Sequence, residues 1–231
     1  MKLSLVIPCY NEAANLPQLV RRCAEVVRPG DVEIILVNNG STDDSPRVLA
    51  ELLPGYPGIR SVHVEKNQGY GFGILSGLRA AEGRILCWTH ADMQTDPADV
   101  QRGLALFDQH GDHIFVKGRR YGRPLADVLF TVGMSVFETA LLRYPLWDIN
   151  AQPTMFSRTF FESWKAAPHD FSLDLYAYYQ AKQAGLPVHR FPVRFGERAY
   201  GVSHWNVNWA AKRKFIRRTV AFSLELRKGL K

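Results

Sequence analysis

Short runs of branched apolar residues alternate with amphipathic stretches through the first half of the chain. LSLVIP (3–8), EIILV (33–37), IRSVHV (59–64), RILCW (84–88) and HIFVK (113–117) are short and rich in Val, Ile and Leu, and read as strands. Helical patterns separate them. The first runs from about Ala13 to Val27, with Leu16, Leu19, Val20, Cys23 and Val27 on one face. A second follows the turn and cap residues NNGSTDD and is marked by Val48, Leu49 and Leu52. A third opens at NQGYGFG and ends near Gly83, and a fourth spans Pro97 to His110. This alternation predicts an α/β fold: a mainly parallel sheet with helices on both faces. In such sheets ligands bind outside the carboxyl ends of the strands.

The second half changes character. Residues 124–146 are rich in Leu, Phe, Val and Met and predict one or two amphipathic helices. INAQPTMF (149–156) reads as extended, 170–185 as a helix ending at Gly185, and PVHRFPVRF (187–195) as a strand. The tail from Trp205 to Lys231 predicts a basic helix. Its stripe of Phe215, Ile216, Thr219, Val220 and Leu224 is flanked by Lys212, Arg213, Arg217, Arg218, Arg227 and Lys228. Such a helix suits an anionic leaflet or a face of its own domain. The longest near-apolar stretch, Val128 to Trp147, carries Glu138 and Arg143, so no membrane-crossing helix is expected. The apolar run at the N-terminus is too short for a signal peptide.

A formal net charge of +7 draws the chain toward anionic partners. Cys9, Cys23 and Cys87 lack metal-binding spacing and read as reduced core thiols of a reducing compartment. Basic residues interleaved with aromatics in a nucleic-acid-binding pattern are missing, so no nucleic-acid partner is expected.

Candidate chemistry gathers after the predicted strands: PCYNE (8–12), NNGSTD (38–43), THADMQ (89–94) and GRRY (118–121). All four fall on one sheet edge by topology. Together they offer carboxylates (Glu12, Asp43, Asp92), amides (Asn11, Asn38, Asn39, Gln94), the ring of Tyr10, and Arg119 and Arg120. Such an edge suits a nucleotide diphosphate bridged by a divalent cation. GYGFG (69–73) fails the dinucleotide-binding fingerprint, because Ile74 stands where the third glycine belongs.

LVIPCYNEAANLP (5–17), ILVNNGSTDDS (35–45), EKNQGYGFGILSGLRAAEG (65–83) and ILCWTHADMQTDP (85–97) together resemble a family 2 glycosyltransferase of the GT-A fold. The resemblance implies a Rossmann-like sheet and inverting transfer from a UDP- or GDP-sugar. It implies that Pro8, Tyr10, Glu12, Val37 and Asn39 line the nucleoside. Asp92, with Ala91 beside it, and Gln94 would hold Mn²⁺ or Mg²⁺ and the diphosphate. Two positions depart from the family pattern. Asn38-Asn39 replaces an Asp pair, and His90 replaces the first aspartate of the metal motif. An imidazole ligand predicts a preference for Mn²⁺; otherwise His90 stands behind Asp92 and Gln94.

KGRRYGRPL, WDINAQPTMFSR and FPVRFGERAYGVSHW resemble the polyprenyl-phosphate sugar transferases, the dolichol-phosphate mannose synthase-like branch. That likeness implies a polyprenyl-phosphate or glycan acceptor. Arg198, Ser203 and His204 would lie on phosphates, with His204 in place of the usual lysine. Arg120 and Arg198 would balance the charge of the leaving diphosphate, and Asp148 would position the acceptor. A hydroxyl acceptor needs a base, for which Asp148, Asp170 and Asp174 are candidates. A lipid phosphate needs none. The chain divides into 1–120 (donor half), 121–204 (acceptor half) and 205–231 (amphipathic tail). The expected setting is cytoplasmic, peripheral on the inner membrane face, with a possible homodimer. A nucleotide-sugar-binding protein without catalysis is the rival reading.

Overall fold

The structure is a computed structural model that describes residues 1–198 and 209–228. In chain order the elements are β1 (Leu3–Cys9), α1 (Leu16–Ala24), β2 (Val32–Asn39), α2 (Ser45–Leu52), β3 (Ile59–Val64), α3 (Tyr70–Ala80), β4 (Ile85–Trp88) and α4 (Val100–His110). They continue with β5 (Phe115–Tyr121), α5 (Leu125–Leu142), β6 (Thr154–Ser157), α6 (Arg158–Glu162), α7 (Leu173–Gln183), β7 (Val188–Arg194) and α8 (Trp209–Lys228). The seven strands form one sheet ordered β3-β2-β1-β4-β6-β5-β7. It is mainly parallel, as expected. The exception is β6, which runs antiparallel between β4 and β5.

Strand periodicity sorts the core into two layers. Leu3, Leu5, Ile7 and Cys9 face α1 and α4, together with Ile34, Leu36, Ile85 and Cys87. The intervening Val6, Ile35, Val37, Leu86 and Trp88 face α3 and α7 on the other side. All three cysteines are buried and free. Burial pushes the Cys23 thiol up to about 12, with Asp96 adding to it, so this thiol stays protonated.

Several predicted boundaries shift. GRRY is part of a strand rather than a loop. β5 continues to Tyr121 because β7 pairs with it as far as Tyr121–Arg194. The predicted extended run 149–156 is a strand only from Thr154. The predicted helix from Pro97 opens with a short 3-10 turn, and α4 proper begins at Val100. The amphipathic stretch 124–146 is a single helix, α5. Contrary to the expectation from the sequence, α5 is by length and composition apolar enough to cross a membrane, and only 17% of it is buried within the domain. The strands before and after it, β5 and β6, belong to the same sheet. After α5 the Leu146 N–H donates to the Thr139 hydroxyl at 3.0 Å and the Asp148 N–H to the Ser135 hydroxyl at 3.1 Å. The segment that follows therefore folds back onto the helix.

α8 packs on α5. At their contact Glu138 and Ser223 are fully buried, with Ser223 Oγ 2.8 Å from Glu138 Oε1. Ser223 Oγ also lies 2.8 Å from the Thr219 carbonyl, one turn back. A hydroxyl carries one proton. A protonated Glu138 donating to Ser223, which in turn donates to Thr219, satisfies all three atoms. Burial pushes the Glu138 carboxyl up to about 7, with Ser223 acting the other way. In the unfolded chain this group titrates near about 4.3. Stability should therefore fall as pH rises from there to about 7, where the loss is complete. Below both values the group contributes nothing. Glu138→Gln should melt higher than the unaltered chain above pH 7, and the gap should close on acidification. Thermal melts across that range check it.

Candidate functional site

The carboxyl ends of β1, β2, β4 and β5 lie on one edge of the sheet, and antiparallel β6 brings its amino end there too. Residues 148–153 therefore join the four polar clusters expected at that edge.

On the donor side the loops after β1 and β2 are stitched together. Asn11, in a left-handed conformation at φ 56°, accepts through Oδ1 from the Thr42 N–H at 2.8 Å. The Glu12 N–H donates to Ser45 Oγ at 3.0 Å, and the Ala13 N–H to Asp43 at 3.2 Å. Tyr10 is 39% exposed, which leaves its ring free to stack. Pro8 and Val37 are register partners beneath it. Burial raises the Glu12 carboxyl, Asp92 and Asp43 add to the rise, and the Asn15 amide and Arg198 oppose it. Asn38 and Asn39 are both buried. Asn38 pairs with His63 at 3.1 Å, and Asn39 Nδ2 donates to the Gly69 carbonyl at 3.0 Å. Asn39 Oδ1 is buried without a partner. A Cβ on Gly73 would lie 2.8 Å from the Asn39 amide group, so glycine there makes room for it.

At the end of β4, Asp92 and Ala91 are buried and His90 is half-buried. Asp92 Oδ2 pairs with Arg198 Nη2 at 2.7 Å, and Asp92 Oδ1 accepts from the Gln94 N–H at 3.1 Å. The Gln94 side chain donates to the Gly196 carbonyl at 3.2 Å and lies 3.4 Å from Arg198. His90 stacks on Tyr70 with ring centroids 5.6 Å apart. Among the described residues no three His, Cys, Asp or Glu side chains cluster tightly enough to hold an ion alone. One carboxylate, an amide and an imidazole fit a cation only if phosphate oxygens and water complete its shell.

On the acceptor side Asp148 is buried at φ 44°. Arg120 Nε donates to it at 3.0 Å, the Arg120 N–H at 3.3 Å, and Arg123 lies at 3.7 Å. Burial works to raise this carboxyl, but Arg120 and then Arg123 hold it below its ordinary value. Both guanidiniums sit over the Phe195 ring, at 5.3 Å and 5.6 Å. Asp170 and Asp174, the other two candidate bases, are separated. Asp170 precedes α7 and pairs with Arg218 at 2.9 Å. Asp174 lies in the core, accepting from Gln152 at 2.6 Å. Burial raises Asp174, and Lys117 opposes that. Lys117 is fully buried, and burial pulls its ammonium down to about 7. Ser203 and His204 lie outside the described residues.

Sequence reasoning passed over Arg123, Tyr70 and Phe171. Arg123 extends the arginine run of β5 and was open to notice. Tyr70 sits inside GYGFG, whose glycines serve packing: a Cβ on Gly71 would lie 2.5 Å from the Pro168 carbonyl and 2.7 Å from that of Asp170. The glycine-rich entry seats the 168–170 backbone.

The profile of glycosyl transferase family 2 matches residues 4–125. The chain belongs to this family. Undecaprenyl-phosphate 4-deoxy-4-formamido-L-arabinose transferase of Klebsiella pneumoniae is 38% identical over 117 residues, 48% of this chain and 35% of that protein. The Enterobacter sp. protein of the same name is 36% identical over 115 residues, with the same coverage. The match thus spans about a third of these relatives' length. Among solved structures, glucosyl-3-phosphoglycerate synthase from Mycobacterium tuberculosis gives a TM-score of 0.75 at 20% identity, covering 98% of this chain and 80% of its own. A Pyrobaculum calidifontis mannosyltransferase bound to GDP-mannose and Mn²⁺ gives 0.68 at 20% identity, covering 94% and 60%. These likenesses establish the GT-A fold of this family 2 glycosyltransferase.

Removing Asp148 strands two buried cations. Asp148→Ala should cost about 3–5 kcal/mol of unfolding free energy by urea titration, and Asp148→Asn less.

Proposed function

We propose that the chain transfers a sugar from a nucleotide-sugar to a polyprenyl phosphate at an anionic membrane face. One observation carries this reading. Arg120, fixed by Asp148, lines a cavity together with Phe130, Met134, Ile149, Phe171 and Leu175, and with Thr131, Ser135, Asn150, Ser172 and Thr219 between them. A guanidinium in a cavity with large apolar walls and hydroxyl and amide groups beside it suits a phosphate on a hydrocarbon chain. The three candidate bases support the same acceptor. Asp148 is committed to Arg120 and Arg123, Asp170 to Arg218, and Asp174 to Gln152 in the core. A lipid phosphate is already a nucleophile and needs none of them. The undecaprenyl-phosphate acceptor in the relatives' name agrees with this acceptor class.

On the donor side Tyr10 stacks the base, with Pro8, Val37 and Glu12 around the nucleoside. The orphaned Asn39 Oδ1 accepts from a ring N–H, which uracil and guanine offer. Asp92, Gln94 and His90 would hold Mn²⁺ or Mg²⁺ together with the diphosphate, with Ala91 beside them. When bound, the cation neutralises charge on the leaving nucleotide. The Mn²⁺ in the archaeal mannosyltransferase complex is in keeping with this. Arg198 occupies Asp92 at 2.7 Å, so it must release the carboxylate to admit a cation. Its guanidinium would then turn to the diphosphate. The acceptor phosphate oxygen attacks the anomeric carbon opposite the departing diphosphate. One C–O bond forms as the other breaks, and the configuration inverts.

The membrane face is α5. Leu125 is 72% exposed, Leu129 62% and Val136 60%, with Phe137 and Trp147 beside them. Arg213, Arg217, Arg227 and Lys228 of α8 are exposed nearby in the fold. An apolar strip next to cations suits the cytoplasmic leaflet, with the protein peripheral to it.

The test is a panel of UDP- and GDP-sugars with Mn²⁺, with and without undecaprenyl phosphate. Label should pass into organic-extractable product, and Asp92→Ala should lose roughly 100-fold or more of the rate. Label only in water-soluble glycan would sink the lipid-phosphate reading, and no transfer at all would favour a binding protein. Vesicles containing phosphatidylglycerol should sediment the chain, and Leu129→Asp with Val136→Asp should release it. The same experiment in 0.5 M salt should weaken retention, on the order expected for screened charge.

A further inference from the structure

α8 reaches the donor site through a continuous stack of side chains. Arg218 on α8 pairs with Asp170 at 2.9 Å and lies over the Phe171 ring at 5.5 Å. Phe171 stacks on Tyr70 with centroids 4.6 Å apart and planes 11° from parallel. Tyr70 stacks on His90 at 5.6 Å and 25°. The segment carrying Phe171 is seated by backbone contacts. The Phe72 N–H donates to the His169 carbonyl at 2.9 Å. Gly69, at φ 115°, approaches so closely that a Cβ would lie 2.4 Å from that carbonyl. Tyr70 therefore has little freedom to slide, and neither does the imidazole on its face.

We infer that Tyr70, Phe171 and Arg218 are positioning residues that fix the plane of the His90 imidazole at the diphosphate site and couple that site to the docking of α8. The inference rests on the glycosyl-transfer reading for its consequence, though not for its geometry. An imidazole standing in for a carboxylate has a directional lone pair, whereas a carboxylate offers two oxygens over a wide range of angles. A histidine at this position thus demands tighter control of ring orientation than an aspartate would. Offset aromatic stacking supplies that control, and its outer end is closed by a cation. Displacement of α8 would uncover Phe171, loosen Tyr70 and let His90 turn.

The test uses the full chain and reads the His90 ring-proton resonances by NMR in the absence of metal, with Mn²⁺-UDP and Mn²⁺-GDP affinities alongside. Phe171→Leu should move the His90 resonances and weaken binding of the nucleotide that the unaltered chain prefers by about fivefold. Phe171→Tyr, which keeps the ring, should restore both, whereas Phe171→Met, which keeps most of the bulk without the ring, should not, as it would if Phe171 merely filled space. Arg218→Gln, at the exposed end, should move the same resonances by a smaller amount. It carries the test even if Phe171→Leu fails to fold. Unmoved His90 resonances in a folded Phe171→Leu, or in Arg218→Gln, would overturn the coupling. If the unaltered chain binds neither nucleotide, the glycosyl-transfer reading fails, while the resonances still decide whether the stack positions His90.

Discussion

Buried Asp148 organises the second half of the chain. Its carboxylate takes the end of β5 through Arg120 and the turn into α5 through Arg123, and its backbone N–H holds the α5 helix itself through Ser135. Two guanidiniums this close would repel each other without it. With it, both lie over the Phe195 ring, and Arg123 Nη2 is left to donate to the Asp127 carbonyl and the Thr131 hydroxyl of α5. The apolar excursion of α5 can then leave the sheet and return without loosening the strand it starts from.

A second charge balance governs the donor half. Asp92 stands beside Glu12, and Arg198 sits between them and the amide of Gln94. A guanidinium there offsets the repulsion between the carboxylates. The family's usual first aspartate would add another negative charge. With His90 there instead, Arg198 faces the carboxylates of Asp92 and Glu12 and not a third.

The centre of the sheet was legible because β1, β2 and β4 are buried on both faces, which writes apolar runs into the sequence. The donor loops were legible for the same reason: polar residues that follow such runs stand out. Residues 1–97 therefore needed little correction beyond strand ends. The acceptor half was harder to read. GRRY looked like a loop because its charges hide the strand, and nothing local reveals that β7 pairs alongside it. Asp170 and Asp174 are four apart, a spacing that suggests one helix face. The chain turns between them, so one meets α8 while the other lies against Gln152 in the core. The glycines of 69–73 misled in another way. Their spacing invites comparison with phosphate loops, while their purpose is to admit a backbone segment a hundred residues away.

The reversed direction of β6 separates two kinds of variation. Because β6 enters the sheet from the edge where the loops after β1, β2 and β4 gather, everything between Tyr121 and Thr154 is a detour that begins and ends at the same place. Lengthening, shortening or replacing that detour changes what stands above the Arg120 cavity. It leaves the strand order, and the loops after β1, β2 and β4, where they are. The fold can therefore rebuild one wall of that edge by exchanging a single excursion, while the loops facing it are inherited intact.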